Sequence, residues 1–174
     1  AAGEIYIMFM NTDGTPKSTV EINSSTANGP TIDDEDHFGA SIANMGDLNG
    51  DGVNDIASGT QFDDEGGSNR GAVHIMFMNA DGSVDSTVEI NSSTTNGPTI
   101  DDDDRLGSSL ANIGDSNGDG INDLAVGAHN DDEGGSNRGA IHIMYMVGTL
   151  PPTTTTTTTT TSSGGGGKNN CDSN

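Results

Sequence analysis

A nine-residue loop rich in aspartate, asparagine and glycine occurs twice in this chain, 68 residues apart, as DLNGDGVND at 47–55 and DSNGDGIND at 115–123. Oxygen-bearing side chains stand at loop positions 1, 3, 5 and 9, and this alternate spacing lets a curled loop direct them to one centre. Glycines at positions 4 and 6 permit the backbone angles of such a curl. Hard oxygen donors without Cys or His are the donors that calcium prefers. The loops therefore predict two calcium sites.

The predicted ligands of the first ion are four side chains and one carbonyl: Asp47, Asn49, Asp51, Asp55 and the carbonyl of Val53. Those of the second ion are their counterparts: Asp115, Asn117, Asp119, Asp123 and the carbonyl of Ile121. The apolar side chains of Val53 and Ile121 are expected to turn into a core. The alternative is an acidic Asn-Gly turn that binds no ion. Recurrence of the same spacing favours calcium, about two ions per chain.

The residues that follow each loop separate it from the calcium loop of an EF-hand. Position 12 of that loop is a bidentate Glu on a helix, and here the position holds Ser58 or Val126. The following segments, DIASGT and DLAVGA, are short, apolar and contain glycine, which is typical of strands. An EF-hand is excluded, and a dockerin-like pair is disfavoured for the same reason.

The repetition extends over the whole unit of 68 residues, since Phe38 corresponds to Leu106 and Val73 to Ile141. One unit contains four candidate strands, at about 38–44, 56–60, 71–78 and 86–90. The third, AVHIMFM, is apolar nearly throughout, as is typical of a strand buried on both faces. No segment has helical periodicity. The sequence predicts an all-β fold of about two four-stranded units with nine strands.

The predicted organisation is a repeat domain at 1–150 and a tail at 151–174. Within the domain, units at about 33–100 and 101–147 follow a partial unit at 1–32. The tail is rich in Pro, Thr, Ser and Gly, cannot bury apolar surface, and is predicted to be an extended stalk or linker. The alternative is a disordered tail without a role.

Two kinds of glycosylation site are expected if the chain is secreted. O-linked sugars are predicted on the threonine run, at Thr153, Thr154, Thr155, Thr156, Thr157, Thr158, Thr159, Thr160 and Thr161. The Asn-Ser-Ser sequons at equivalent repeat positions are candidate N-glycan sites, at Asn23 and Asn91.

The charge of −22, from 27 acidic and 5 basic residues, limits the partners of this chain. Such a surface repels nucleic acid and anionic membranes and attracts divalent cations. No run approaches the roughly 20 apolar residues of a membrane helix, so no membrane insertion is expected. Cys171 is the only cysteine, which excludes an intrachain disulfide. Millimolar calcium and the Ala-Ala-Gly start favour an extracellular or cell-surface location.

The repeat resembles the FG-GAP repeat of integrin α-subunit β-propellers and related secreted proteins. The resemblance covers roughly residues 1–147 and is carried by Phe38-Gly39, the loop at 47–55, Ser58-Gly59-Thr60 and the strand GAVHIMFM. In the second copy the matching residues are Leu106-Gly107, the loop at 115–123, Gly127-Ala128-His129 and GAIHIMYM. The resemblance implies a four-stranded blade with calcium in the turn between its first two strands. A closed propeller needs about four to eight blades, and this chain has about two.

No residue pattern indicates an enzyme. His74 and His142 share the repeat position that Tyr6 occupies in the partial unit, which favours a structural role. The acidic runs at 33–36 and 101–104 are interpreted as solvated loops, with extra weak calcium binding as the alternative. In the repeated DDEGGSNRG, the arginine is expected to pair locally with its acidic neighbours. A loop that contacts a ligand is the alternative.

Two functions remain open. The first is a secreted, calcium-binding structural subunit that assembles head-to-tail into an extracellular filament, with copies of itself as partners through strand pairing. The second is a cell-surface adhesion or ligand-binding module on a Thr-rich, glycan-bearing stalk. An enzyme domain similar to the propeller of GPI-specific phospholipase D is a weaker third reading, because no catalytic set is visible.

Overall fold

The computed structural model describes residues 2–133, 135–136 and 138–147 of the chain. Within them lie nine β-strands: β1 (Ile5–Met10), β2 (Pro16–Ile22), β3 (Ser41–Gly46), β4 (Asp55–Thr60), β5 (Ala72–Met78), β6 (Val84–Ile90), β7 (Leu106–Gly114), β8 (Asp123–Ala128) and β9 (Ala140–Met144). This confirms the predicted all-β fold. Across the same residues, no helix has the length and apolar character needed to cross a membrane.

The strands form three antiparallel sheets, which correspond to the repeat units. We call β1–β2 the hairpin, β3-β4-β5-β6 the complete repeat, and β7-β8-β9 the open repeat, in which no fourth strand lies among the described residues. The predicted tail at 151–174, with its threonine sites, lies outside the described residues.

The first strand of the complete repeat begins later than the sequence predicted. It starts at Ser41 instead of residue 38, because Gly39 takes a φ of +83° that interrupts the strand. Phe38 instead forms an isolated parallel bridge with Gly3 of the hairpin unit. In the open repeat Leu106 does begin β7, with an irregular register between Leu106 and Ser109. The start of this strand is therefore also the joint between successive units.

Two hydrophobic clusters lie between the units rather than within any one of them. One joins the hairpin to the complete repeat, and its members include Ile5, Ile22 and Met76. The other joins the complete and open repeats and includes Ile75 and Leu124. Full burial of such a side chain stabilises the fold by about 1.5–3 kcal/mol. Each sheet is thus stabilised by apolar side chains that it buries against a neighbouring sheet.

Backbone contact between the complete and open repeats is close. Gly71 forms a parallel bridge with Leu106, and a Cβ at Gly71 would lie 2.2 Å from the Leu106 carbonyl oxygen. Ser41 Oγ donates a hydrogen bond of 2.7 Å to the Gly107 carbonyl. Only glycine at 71 allows the two backbones to approach this closely.

Candidate metal centres

The two predicted calcium loops occupy the same place in both repeats. The first links β3, which ends at Gly46, to β4, which begins at Asp55. The second links β7, which ends at Gly114, to β8, which begins at Asp123. Both loops therefore lie in the turn between the first two strands of a repeat.

Asp47 closes the curl of the first loop. Its Oδ1 accepts hydrogen bonds from the N–H groups of Gly50 at 2.7 Å and Asp51 at 3.0 Å. Its Oδ2 accepts the N–H of Gly52 at 2.8 Å. Gly50 and Gly52 have φ of +81° and +89°, which glycine adopts at little cost. The side chain at position 1 thus organises the loop backbone around itself.

The side chains at positions 3 and 5 meet inside this curl. Asn49 Nδ2 donates to Asp51 Oδ2 at 2.9 Å, while Asn49 Oδ1 accepts the Asp51 N–H at 3.0 Å. Asp51 Oδ1 accepts the N–H of Val53 at 2.8 Å. The amide and the carboxylate are adjacent, as two ligands of one ion would be.

Asp55 at position 9 is fully buried at the start of β4. Its Oδ2 accepts the Leu48 N–H at 2.8 Å, and its Oδ1 accepts the Met78 N–H at 3.0 Å. Burial raises the pKa of Asp55, and the nearby carboxylates of Asp51 and Asp47 raise it further, against these two hydrogen bonds. The site therefore holds a costly negative charge that a cation would stabilise.

The second loop reproduces this geometry. Asp115 accepts the N–H groups of Gly118 at 2.6 Å and Gly120 at 2.8 Å. Asn117 Nδ2 donates to Asp119 Oδ2 at 3.2 Å. The same local sequence has produced the same curl twice.

The loops differ at position 2, which is Leu48 in the first and Ser116 in the second. Ser116 donates both its N–H and its hydroxyl to Asp123 Oδ2, at 2.9 and 2.5 Å. The hydroxyl bond lowers the pKa of Asp123, whereas the pKa of Asp55 is raised. The pKa shifts at position 9 therefore have opposite directions, because burial dominates at Asp55 and the Ser116 hydroxyl dominates at Asp123.

The apolar residues at position 7 point inward, as expected. Ile121 is buried, and Val53 packs against the cluster between the hairpin and the complete repeat. Each loop is thereby anchored to the core through its seventh residue.

The donor set suits calcium in its chemistry, but the side chains do not yet converge on a centre. Among the described residues, no three acidic or histidine side chains lie close enough together to hold a metal ion as they stand. The hydrogen bond from Asn49 to Asp51 Oδ2 has to open before both side chains can face an ion. Asp47, Asn49, Asp51 and Asp55 would hold the ion, and calcium accepts such a set of hard oxygen donors.

The two N-glycan candidates have occupied amide groups. Asn91 is buried, and its Nδ2 donates to Glu89 Oε1 at 2.6 Å. Asn23 Nδ2 donates to Glu21 Oε1 at 2.5 Å. A sugar on either nitrogen requires this hydrogen bond to be broken.

In the first copy of DDEGGSNRG, the one salt bridge that Arg70 forms among the described residues is not local, which corrects the expectation from sequence for this copy. Arg70 Nε lies 2.7 Å from Asp102 Oδ1, 32 residues away, at the beginning of the open repeat. The nearby Asn69 Nδ2 also reaches across, to Asp103 Oδ1 at 2.9 Å. These contacts connect two units. The sequence signal is the acidic run at 101–104, which predicts a solvated loop or a weak calcium site but not a contact with another unit.

A buried histidine lies beside a buried carboxylate in the complete repeat. His74 is fully buried, has no hydrogen-bond partner within the described residues, and lies 4.0 Å from Asp63 Oδ2 through its Nε2. Burial lowers the pKa of His74 to about 4 and raises that of Asp63 to about 6. His142 and Asp131 repeat the arrangement at 3.7 Å. The sequence revealed the repeated histidine but not its acidic neighbour.

A comparison with known protein families matches the FG-GAP repeat to residues 38–76 and 106–144. Both segments contain one of the loops and the strands on either side of it. The chain is also similar to integrin alpha-PS5 of Drosophila melanogaster, with 34% identity over 91 residues. That alignment covers 52% of this chain and 9% of the integrin, so the chain spans about a tenth of its relative.

Proposed function

This chain carries two FG-GAP repeats, and from that premise we propose that it is an extracellular, non-catalytic module that binds calcium and a macromolecular ligand, as an adhesion protein does. The observation that supports the proposal is the recurrence of one curled loop, with the same donors and the same backbone hydrogen bonds, in both repeats. The similarity to an integrin favours an extracellular or cell-surface setting for it.

In this proposal calcium has a structural role and stabilises the folded loop. The three carboxylates of the first loop, on Asp47, Asp51 and Asp55, repel one another in the apo state, and a bound ion offsets that repulsion. Because Asp55 also accepts the Met78 N–H, the ion would connect the loop to β5. Binding requires the Asn49 amide to turn its oxygen toward the ion. Affinity is expected to be weak, with a Kd on the order of 10⁻⁴ to 10⁻³ M, since no bidentate Glu contributes.

Calcium titration by calorimetry tests this proposal directly. The full chain is expected to bind two ions, and Asp47→Ala together with Asp115→Ala to abolish binding. Asp85→Asn is the matched control, since Asp85 is an exposed carboxylate on β6 outside both loops. Binding unaffected by the double substitution, or no binding at all, would refute the calcium sites.

The adhesive role requires a separate experiment. Surfaces coated with an extracellular-matrix extract are expected to retain the folded chain in calcium and release it in chelator. The variant with both loop aspartates replaced is expected to bind far less under the same conditions. Equal retention of the chain and the variant would argue against a calcium-dependent binding module.

A second function, a structural subunit that assembles head-to-tail, is favoured by the sheet edges. Within the described residues β1 pairs only with β2, and β9 pairs only with β8. Unpaired strand edges invite pairing with another chain. Calcium would assist by reducing repulsion between protomers of charge −22. O-linked sugars on the threonine tail remain part of this proposal, and an intact mass of 17.7 kDa would exclude them.

Sedimentation velocity of the full chain, with calcium and with chelator, tests this second function. Concentration-dependent growth beyond a dimer supports assembly, and a monomer at all concentrations refutes it. Deletion of residues 1–22 is a poor test, because it removes Ile5 and Ile22 from the core cluster that they share with Met76.

A further inference from the structure

The third strand of a unit is β1 in the hairpin, β5 in the complete repeat and β9 in the open repeat. The two faces of β5 contact different neighbours. Side chains alternate along a strand, so Val73 and Ile75 of β5 point to one side, and His74 and Met76 to the other. The first pair packs against the open repeat, and Met76 packs against the hairpin. We call these the following face and the preceding face.

The same pairing of faces occurs at both joints between units. On the following face of the hairpin, Ile5 belongs to the cluster with Met76 and Met78 from the preceding face of β5. On the following face of β5, Val73 and Ile75 belong to the cluster against which Met144 packs, and Met144 is the repeat counterpart of Met76. The structure thus shows one rule twice: a following face covers the preceding face of the next unit.

Two faces of this kind remain exposed among the described residues. On the preceding face of β1 the exposed side chains are Tyr6 at 49%, Met8 at 57% and Met10 at 53%. On the following face of β9 and the residue after it they are Ile141 at 74%, Ile143 at 46% and Tyr145 at 60%. Their counterparts on β5 are nearly all fully buried. Large apolar side chains grouped on one face indicate an interaction surface.

Among the described residues, the exposed strand positions on the following face of the open repeat are also uncharged, although the chain carries −22. Cross-strand partners share a face, and the register of β7, β8 and β9 brings together the neutral residues Ser109, Ala111, Ala125, Gly127, Ile141 and Ile143 there. Asp123, at the start of β8, alternates onto the same face but is fully buried. Their counterparts in the complete repeat include Ala57 and Ile75, which are buried against the open repeat. A neutral face on an acidic protein can meet another copy without direct charge repulsion.

We propose that a second copy of this chain covers these faces, with the Tyr6, Met8 and Met10 face of one copy stacked on the Ile141, Ile143 and Tyr145 face of the next. The inference rests on the second proposed function and names its contact surface, which is a stacked pair of sheet faces rather than a pair of strand edges. We infer a second copy as the occupant from the contacts inside the chain. Met76 and Met144 stand at the repeat position of Met8, and each already packs against the following face of the unit before it.

The contact joins different surfaces of the two partners. It is therefore heterologous, and repetition produces an open-ended assembly unless the rotation closes a ring. The joint between copies would then imitate the joint between the complete and open repeats.

Disulfide trapping between two variants tests the contact. Cys171→Ser first removes the only native cysteine. In that background Met8→Cys and Ile143→Cys place one thiol at the centre of each face. Under mild oxidation the mixture is expected to yield a covalent dimer, and each variant alone is expected to stay monomeric on a non-reducing gel. Val88→Cys is the matched control, because Val88 is 50% exposed on β6 of the complete repeat, away from the proposed contact.

A second measurement separates this inference from the assembly on which it rests. Ile143→Asp is expected to reduce the assembled fraction in sedimentation at least tenfold, whereas Val88→Asp leaves it unchanged. If the chain assembles but Met8→Cys and Ile143→Cys do not cross-link selectively, the proposed faces are wrong and assembly stands. If the chain stays monomeric, both are wrong, and the faces belong to a partner other than this chain.

Discussion

The complete repeat and the open repeat have nearly the same sequence but differ in burial. Ile75 of β5 is 1% exposed, whereas Ile143, at the same position of β9, is 46% exposed. The imidazole of His74 is fully buried, and that of His142 is 22% exposed. The complete repeat has a described unit on both sides and the open repeat only on one. In this fold a residue's burial depends on the neighbouring unit.

The loops, unlike the core residues, have the same structure in both repeats. Asp47 and Asp115 organise their turns with the same hydrogen bonds, although one repeat is covered on both sides and the other is not. Bonds between residues two to five positions apart do not depend on the neighbouring unit. The calcium loop is a local structure, and the core is a tertiary one.

The largest expected effect contrasts the two isoleucines. Ile75→Ala should lower the free energy of unfolding by about 2–5 kcal/mol, because it leaves a cavity in the cluster between repeats. Ile143→Ala should cost less than about 1 kcal/mol in the monomer, since much of its side chain already contacts water. Urea unfolding of both variants at low protein concentration measures the difference. Equal losses would mean that β9 is covered in solution.

The next effect concerns the buried histidine. Its folded pKa of about 4 lies below its usual value, so stability is lost as pH falls from about 6.5 through 4, on the order of 2 kcal/mol at pH 5. Asp63, with a raised pKa of about 6, acts in the opposite direction and destabilises the fold as pH rises through that window. His74→Phe removes the first contribution, so the variant should gain stability relative to the original chain as pH falls.

Thermal unfolding between pH 4 and 7 measures this change in slope. His142→Phe is the matched control, because it makes the same substitution at the same repeat position, where the imidazole is partly exposed. Parallel pH profiles for the original chain and His74→Phe would contradict the role assigned to burial.

Calcium removal should have a smaller effect that is similar in the two loops. At a few millimolar free calcium, a site with a Kd on the order of 10⁻⁴ to 10⁻³ M stabilises the folded state by about 1–2 kcal/mol. Asp51→Asn and Asp119→Asn should each remove about half of the calcium-dependent rise in Tm. A chain whose Tm is unchanged by chelator would rule out both sites.

The smallest effect tests the difference between the loops at position 2. Ser116→Ala removes the hydroxyl donor to Asp123, so the pKa of Asp123 should rise toward that of its counterpart Asp55. Carboxyl carbon shifts in an NMR titration report both aspartates at once. Leu48→Ser is the reciprocal variant and should lower the pKa of Asp55. If neither pKa moves, burial alone accounts for the opposite pKa shifts of Asp55 and Asp123.

Several features followed from the sequence because they depend on local chemistry. The strands could be predicted from apolar runs such as AVHIMFM, whose burial on both faces is confirmed in β5. The FG-GAP resemblance followed from the loops together with Phe38-Gly39 and the strand GAVHIMFM, and it implied the place of the loops between the first two strands. The start of β3 was misplaced, since the bridge between Phe38 and Gly3 involves a residue 35 positions away.

Other features were decided only by the tertiary structure. The pairing of Arg70 with Asp102 depends on how two units pack, and the sequence offered three nearer acids as partners. The same holds for His74 beside Asp63, because strand register and loop path bring them together. Local hydrogen bonds and alternation are set by neighbours in the chain, so sequence alone determined the loops, the strands and the all-β class. Burial and charge pairing are set by neighbours in space, so only the stacking of units determined which faces are covered.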